Sequence, residues 1–306
     1  MKVLVTGVSG FTGMHLIEFL SSKKNLRIFG VVHTHLKENQ DNIEWIKCNL
    51  HNRAQTEKII RKIIPDRIIH LAGLNQGSIR DLIQTNVLGT DNLLRAIKNP
   101  AKCSRILVIG SSAEYGYAGT SPISESANLD PVGEYGVSKV AEELLARSYF
   151  HRFGHQVAIA RPFNLVGPGQ STSFVCGQII SQIIKIESGL QDAIHLHEIE
   201  SCRDFIDVRD AVHAYWSILD HDHFSEECAG NAFNVGSGRS YSISEVLKTI
   251  EEITGKKYPT ELSEKPVKSI VPTQKSDNSF ITKTTGWAPS ISFKQTISDM
   301  LASAVK

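Results

Sequence analysis

Tyr135 and Lys139 stand four residues apart in a helical stretch, Tyr135-Gly136-Val137-Ser138-Lys139, so their side chains share one helix face. A phenol titrates near pH 10 and is a poor acid–base catalyst at neutral pH. A neighbouring ammonium favours the phenolate, at about 1.4 kcal/mol for each tenfold change in acidity. In isolation such a pair is more often a surface pair than a site. The upstream run Arg105–Ile109 shifts that balance, because it leads into Gly110-Ser111-Ser112-Ala113-Glu114-Tyr115-Gly116. Parallel sheets bind ligands at the carboxyl ends of their strands. A Ser111 hydroxyl there can hydrogen-bond a carbonyl oxygen that is being reduced.

A second constellation is Gly7-Val8-Ser9-Gly10-Phe11-Thr12-Gly13, which follows the first apolar run and opens a helical pattern. Glycines allow a tight turn and a close approach of backbone N–H groups to a pyrophosphate, and the helix N-terminus adds partial positive charge. Three glycines can also serve plain helix–strand packing. Their place between a first strand and a first helix points to a dinucleotide. A carboxylate ending the second strand would accept the ribose 2′-OH of NAD and repel the 2′-phosphate of NADP. Here the run ends Gly30-Val31-Val32-His33-Thr34-His35, with Lys37 following. That favours NADP(H), with NAD(H) possible if these are only solvated loop residues. Asn49 and Leu50 follow the third apolar run, where an adenine would lie; an exposed loop role is the plain alternative.

These residues need elements to hold them. Apolar runs Val3–Val5, Leu26–Val32, Glu44–Lys47, Arg67–Leu71, Arg105–Ile109 and Val157–Ala160 alternate with helical patterns Gly13–Ser22, Ala54–Ile64, Ile79–Lys98 and Tyr135–Phe153. That order predicts a doubly wound parallel sheet of the Rossmann type, an α/β fold covered by helices on both faces. After about Gly167 the pattern changes, with further helices predicted at Phe174–Glu187 and Val208–Asp220. Residues 1–165, with returning segments from about 203–236, are expected to form the dinucleotide domain. Residues 166–306 are expected to form mostly a smaller substrate lobe, with Ser263–Asn278 as a long surface loop.

Of 306 residues, 41% are hydrophobic and 21% charged, with net charge +1, which excludes a disordered tail or a polymer-binding basic protein. The apolar run at the N-terminus is too short for a signal peptide and no run is long enough for a membrane span. Five cysteines without Cys-x-x-Cys spacing suit a reducing cytoplasm. The His195/His197 and His221/His223 pairs lack further ligands at recognised spacing, so no metal is expected.

The motifs together resemble the extended short-chain dehydrogenases/reductases that modify nucleotide sugars. Ser111 lies four residues before Tyr115 and 24 before Tyr135, the spacing of that family. His70-Leu71-Ala72-Gly73, Asn86, Ala160-Arg161-Pro162-Phe163-Asn164 and Arg203–Asp210 are similar to further family segments. Within the family, the stretches Pro162–Ser171, Ser173-Phe174-Val175 and Arg203–Trp216 look most like the GDP-4-keto-6-deoxy-D-mannose reductases.

The resemblance implies a cytoplasmic NADPH-dependent reductase of a nucleotide-linked 4-keto-6-deoxyhexose, giving GDP-D-rhamnose. Ser111, Tyr135 and Lys139 would be catalytic. Gly7, Gly10, Phe11, Thr12, Gly13, His33, Asn49, Leu50, Leu71, Ala72, Gly73 and Pro162, with Tyr135 and Lys139, would hold the cofactor. Ser112, Ala113, Glu114, Asn164, Phe174, Val175 and Arg203 would meet the substrate, although Arg203 could instead form a surface pair with Asp204. A 4-epimerase or a 4,6-dehydratase shares the hydride chemistry, and a redox-silent NADP-binding regulator is the remote alternative. A dehydratase needs a base near Ala113, which offers only a methyl group. Glu114, one place on, would point away if the segment is extended. A homodimer through Ile79–Lys98 and Tyr135–Phe153 is also implied, with Leu82, Leu93, Leu144 and Leu145 available unless they face their own sheet.

Overall fold

The computed structural model describes residues 1–34, 42–99, 105–263 and 269–304. Seven strands form one parallel sheet: β1 (Lys2–Thr6), β2 (Arg27–Val32), β3 (Ile43–Lys47), β4 (Arg67–His70), β5 (Arg105–Ile109), β6 (Val157–Pro162) and β10 (Ala232–Val235). Their order is β10-β6-β5-β4-β1-β2-β3. The order reverses beside β1, which leaves a crevice at the carboxyl ends of β1 and β4, where Thr6 pairs with His70. The fold is the expected Rossmann-type α/β sheet.

Burial on both faces explains the apolar strands. On one side α1 (Phe11–Ser21) and α7 (Val208–Leu219) cover Val3, Val5, Leu107 and Ala158. On the other, α2 (Arg53–Ile63), α4 (Gly89–Ala96) and α5 (Glu134–Phe153) cover Leu4, Ile68, Ile106 and Val108. The smaller lobe has its own core, in which α6 (Val175–Glu187), α8 (Ile243–Thr254) and α10 (Phe293–Ala304) enclose Ile179, Ile183, Val246 and Ile297. Its strands are β7 (Asn164–Val166), β8 (Ile194–Leu196), β9 (Cys202–Asp207), β11 (Ser240–Ser242) and β12 (Thr260–Leu262). Besides α7 and β10, the late helix α9 (Ser279–Thr285) also returns to the main sheet, with Ile281 and Trp287 in its core.

Two sequence expectations differ from the structure. The single helix over Ile79–Lys98 is broken into α3 (Ile79–Leu82), a wide π turn (Ile83–Leu88) and α4. The wide turn accompanies Asn86, whose buried side chain binds the backbone of Leu74 rather than packing in an apolar stripe. The presumed surface loop Ser263–Asn278 is a buried strap over its second half. Cys202 N donates to Pro272 O and Gln274 N to Cys202 O, while Ile123 N donates to Lys275 O. Gln274 and Ser276 are buried. The strap's polar residues Gln274, Ser276 and Asn278 read as loop but bond to Ser112, Asp204 and Gly236; residues 264–268 lie outside the described residues.

Candidate active site

The glycine loop makes a cradle that side chains would fill. Gly7 has φ +72°, and a Cβ on it would lie 2.7 Å from Ala72 N. A Cβ on Gly13 would lie 2.4 Å from Gly7 O. Gly10 caps α1 without a side-chain bond, and the first turn carries no acidic residue. Gly10 N donates to Gly7 O, and the amide groups of the first turn beyond it are left for an external anion, a fit for a dinucleotide pyrophosphate against Gly10, Phe11, Thr12 and Gly13. His33 and Thr34 are exposed just past β2, whereas His35 and Lys37 lie outside the described residues. Asn49 and Leu50 are half-buried at the end of β3, where Asn49 Oδ1 accepts His51 N at 3.0 Å.

The wall after β4 is fixed by side chains. Ala72 N donates to Thr6 Oγ1 at 3.2 Å. Asn86 Oδ1 accepts Leu74 N at 2.7 Å, and its Nδ2 donates to Leu74 O and to Ser138 Oγ, each at 2.9 Å. A Cβ at Gly73 would stand 3.1 Å from Asn86 Oδ1, which suits glycine there beside half-buried Leu71 and Ala72.

Two contacts set α5, which carries Tyr135 and Lys139, against the end of β5 and the turn that follows it, and a third lies within α5. Lys139 Nζ donates to Ile109 O at 2.5 Å, tying α5 to the carboxyl end of β5. Gly136 abuts the turn after β5, since a Cβ there would lie 2.6 Å from Ala113 O. Ser138 Oγ donates to Tyr135 O at 2.7 Å. Ser111 Oγ accepts Ala113 N at 3.1 Å, which leaves its own O–H as a donor. Burial alone would drive Lys139 down, but the Glu142 carboxylate reverses this and holds the ammonium above its ordinary value.

The turn itself corrects the expectation for its neighbours. Ser112–Tyr115 is a 3-10 helix, not an extended segment. Ser112 Oγ is tied to Gln274 Oε1 at 3.1 Å, and Gln274 Nε2 returns to Ser112 O at 2.9 Å. Glu114 is fully buried and accepts Ser111 N at 2.6 Å, so it is sealed from a substrate. Burial and the adjacent Glu143 push its carboxyl up to about 8. Arg161 binds Glu143 through Nε and Nη2 at 2.8 and 2.6 Å and Tyr115 Oη through Nη1 at 2.7 Å. Ala113 remains half-buried at the surface of this turn.

Pro162 ends β6 and is buried. Asn164 Nδ2 donates to Asp204 O at 3.3 Å, while Phe174 is exposed and Val175 half-buried at the start of α6. Arg203 is not paired with Asp204. Its Nη2 donates to Ser269 Oγ at 2.8 Å, whereas Asp204 is buried and accepts from Ser237, Gly238 and Ser276. The two side chains alternate across β9, which overturns the surface-pair alternative. Burial lowers the Arg203 guanidinium from its ordinary value.

Of the four leucines proposed for an interface, Leu82 and Leu93 are buried in their own subunit and Leu145 packs on the sheet core. Leu144 is exposed. Sequence reading missed Glu142, Thr90, Gln274 and Asn234. The i, i+3 spacing of Lys139 and Glu142 was the one local signal available.

A family model described as GDP-mannose 4,6 dehydratase matches residues 4–300. The chain belongs to this family. It is 32% identical to GDP-6-deoxy-D-mannose reductase of Pseudomonas aeruginosa, over 98% of this chain and 96% of that one. It is also 32% identical to GDP-6-deoxy-D-talose 4-dehydrogenase of Aggregatibacter actinomycetemcomitans, covering 83% and 80%. Among solved structures, RMD from Pseudomonas aeruginosa complexed with NADPH matches with TM-score 0.82 and 29% identity, covering 99% and 98%. Family membership agrees with the resemblance read from the motifs, and among the described residues no helix is long and apolar enough to cross a membrane.

Proposed function

We propose that this protein reduces the C4 keto group of a GDP-linked 4-keto-6-deoxyhexose, with NADPH as reductant. The observation that carries the reading is the anchoring of Lys139 on the β5 end and of Gly136 on the turn that opens with Ser111, next to a glycine cradle without a side-chain cap. The names of both 32% relatives concern a GDP-6-deoxyhexose, and mannose and talose differ only at C4. GDP-D-rhamnose is the product we favour.

NADPH, when bound, supplies the hydride. Gly7, Gly10, Phe11, Thr12 and Gly13 would hold its pyrophosphate, and His33 its 2′-phosphate. Asn49 and Leu50 would meet the adenine, with Leu71, Ala72, Gly73 and Pro162 lining the nicotinamide side. Lys139 would bind the ribose. Tyr135 donates the phenolic proton to the sugar oxygen, and Ser111 holds that oxygen through its free O–H. Asn164, Phe174, Val175 and Arg203 would receive the nucleotide diphosphate, for which a guanidinium suits bidentate contact. Ala113 would touch the sugar. Because Glu114 is sealed and Ala113 is a methyl group, the turn offers no base for water elimination.

A homodimer is part of this reading. Ile79, Leu88, Val137 and Leu144 expose apolar side chains along α3, the π turn and α5. The test is a panel of GDP-, dTDP-, UDP- and CDP-linked 4-keto-6-deoxy sugars with NADPH and with NADH. Consumption of NADPH with the GDP sugar is expected; NADPH binding without turnover of any keto sugar would support a redox-silent regulator.

A further inference from the structure

The active-site lysine has a second partner that the proton-transfer scheme does not use. Lys139 Nζ contacts the Glu142 carboxylate one helical turn on, and both side chains are buried. Glu142 Oε1 also accepts Thr90 Oγ1 from α4 at 2.8 Å. Thr90 Oγ1 lies 2.9 Å from His70 Nε2, and His70 Nδ1 lies 2.7 Å from Thr6 Oγ1. Thr6 Oγ1 in turn accepts Ala72 N at 3.2 Å. One buried chain of hydrogen bonds thus runs from Lys139 to the wall beside the glycine cradle.

We propose that Glu142 is a positioning residue, the fixed counter-ion that keeps Lys139 charged and aimed at the cofactor ribose. The cofactor part of this rests on the function proposed above. A lone buried ammonium is unstable as a cation and sheds its proton. The groups facing Lys139 are Glu142 and Tyr135 on its own helix, Ile109 O on β5, Glu114 on the turn and His70 on β4. Those facing Glu142 are Lys139, Thr90 and His70. His70 supplies no charge, because burial and the Lys139 ammonium drive it down to about 3. Glu114 is neutral below about pH 8, so Glu142 is the one carboxylate in contact with the ammonium among the described residues. Burial raises the Glu142 carboxyl against the pull of Lys139 and Thr90.

The test uses Glu142→Gln, which keeps the shape and the Thr90 acceptor but removes the charge. In this variant Lys139 titrates lower in the folded chain than in the unfolded one. Over the window between those two values the unfolded chain binds more protons, so folding stability rises with pH. The stability gap between variant and wild type should therefore narrow as pH is raised from about 7 to about 9.5, by up to about tenfold in the unfolding constant per pH unit. NADPH affinity of the variant should fall over the same range while that of wild type changes little.

A gap that stays constant with pH would mean a merely structural role and overturn the proposal. An unchanged NADPH affinity would overturn the positioning role while leaving the reductase reading intact. Failure of wild type to bind NADPH would instead strike the reductase reading, and the ion-pair result would still be read from stability. Should Glu142→Gln not fold, Lys139→Met and the double variant decide. Removing the whole pair should restore a cooperative melt that either single change loses; no restoration would overturn the pairing.

Discussion

Glu114→Gln is the substitution whose effect follows most directly from geometry. The Glu114 side chain is walled in by Ser111, Glu143 and Arg161, and its Oε2 lies 3.6 Å from Arg161 Nε. Burial and Glu143 push its carboxyl from the ordinary 4.5 to about 8. At neutral pH it is therefore the neutral acid beside Glu143, which stays ionised on Arg161. Above 4.5 the unfolded chain releases this proton and the folded chain keeps it until about pH 8. Stability is then lost as pH rises through that window, at up to about 1.4 kcal/mol per pH unit. A glutamine cannot ionise. Its carbonyl can accept Ser111 N as the Glu114 carboxyl does. Relative to wild type, the variant should gain about 1–3 kcal/mol between about pH 5.5 and about pH 8.5. Urea unfolding at those two values measures it. A gap that does not move with pH, or that moves against the variant, would refute the neutral-acid assignment.

Tyr135→Phe should cut turnover by about two orders of magnitude or more while NADPH affinity is retained, as isothermal titration and steady-state kinetics would show; retention of most activity would remove Tyr135 from its role. His33→Asp should shift preference toward NADH, and tighter NADH than NADPH binding by wild type would contradict the cofactor argument. Gln274→Ala removes the two hydrogen bonds that Gln274 makes with buried Ser112 and should cost about 1–3 kcal/mol; an unchanged melting curve would show these bonds are dispensable. Light scattering should give a dimer at micromolar concentration, and a monomer alone would count against the exposed apolar helix faces.

The six predicted strands all lie in the main sheet; the inner ones are apolar on both faces, and the edge strand β3 alternates in burial. The glycine turn and the placing of Tyr135 and Lys139 on one helix were legible for a related reason, since both are local spacings. What escaped was long-range and polar. α5 buries Ser138, Lys139, Glu142 and Glu143 while Leu144 is exposed, so its buried face does not follow hydrophobicity. Gln274 reaches Ser112 from 162 residues away, and no local pattern encodes that pairing. Asn234 accepts Tyr115 Oη at 2.7 Å for the same unreadable reason. Glu114 is kept from the site not by an extended backbone but by a 3-10 helix that turns it into the core, and its capping pair, Ser111 and Glu114, was present in the sequence.

The proposed reaction is hydride delivery to C4 of a GDP-linked keto sugar. Incubation of the protein with GDP-4-keto-6-deoxymannose and NADPH carrying deuterium on the nicotinamide tests it most directly, with the product read by mass and proton spectra. The expected result is a GDP-6-deoxyhexose with one deuterium, at C4, in the configuration of rhamnose. Release of water from GDP-mannose in the presence of NADP, giving a 4-keto-6-deoxy product, would contradict the account.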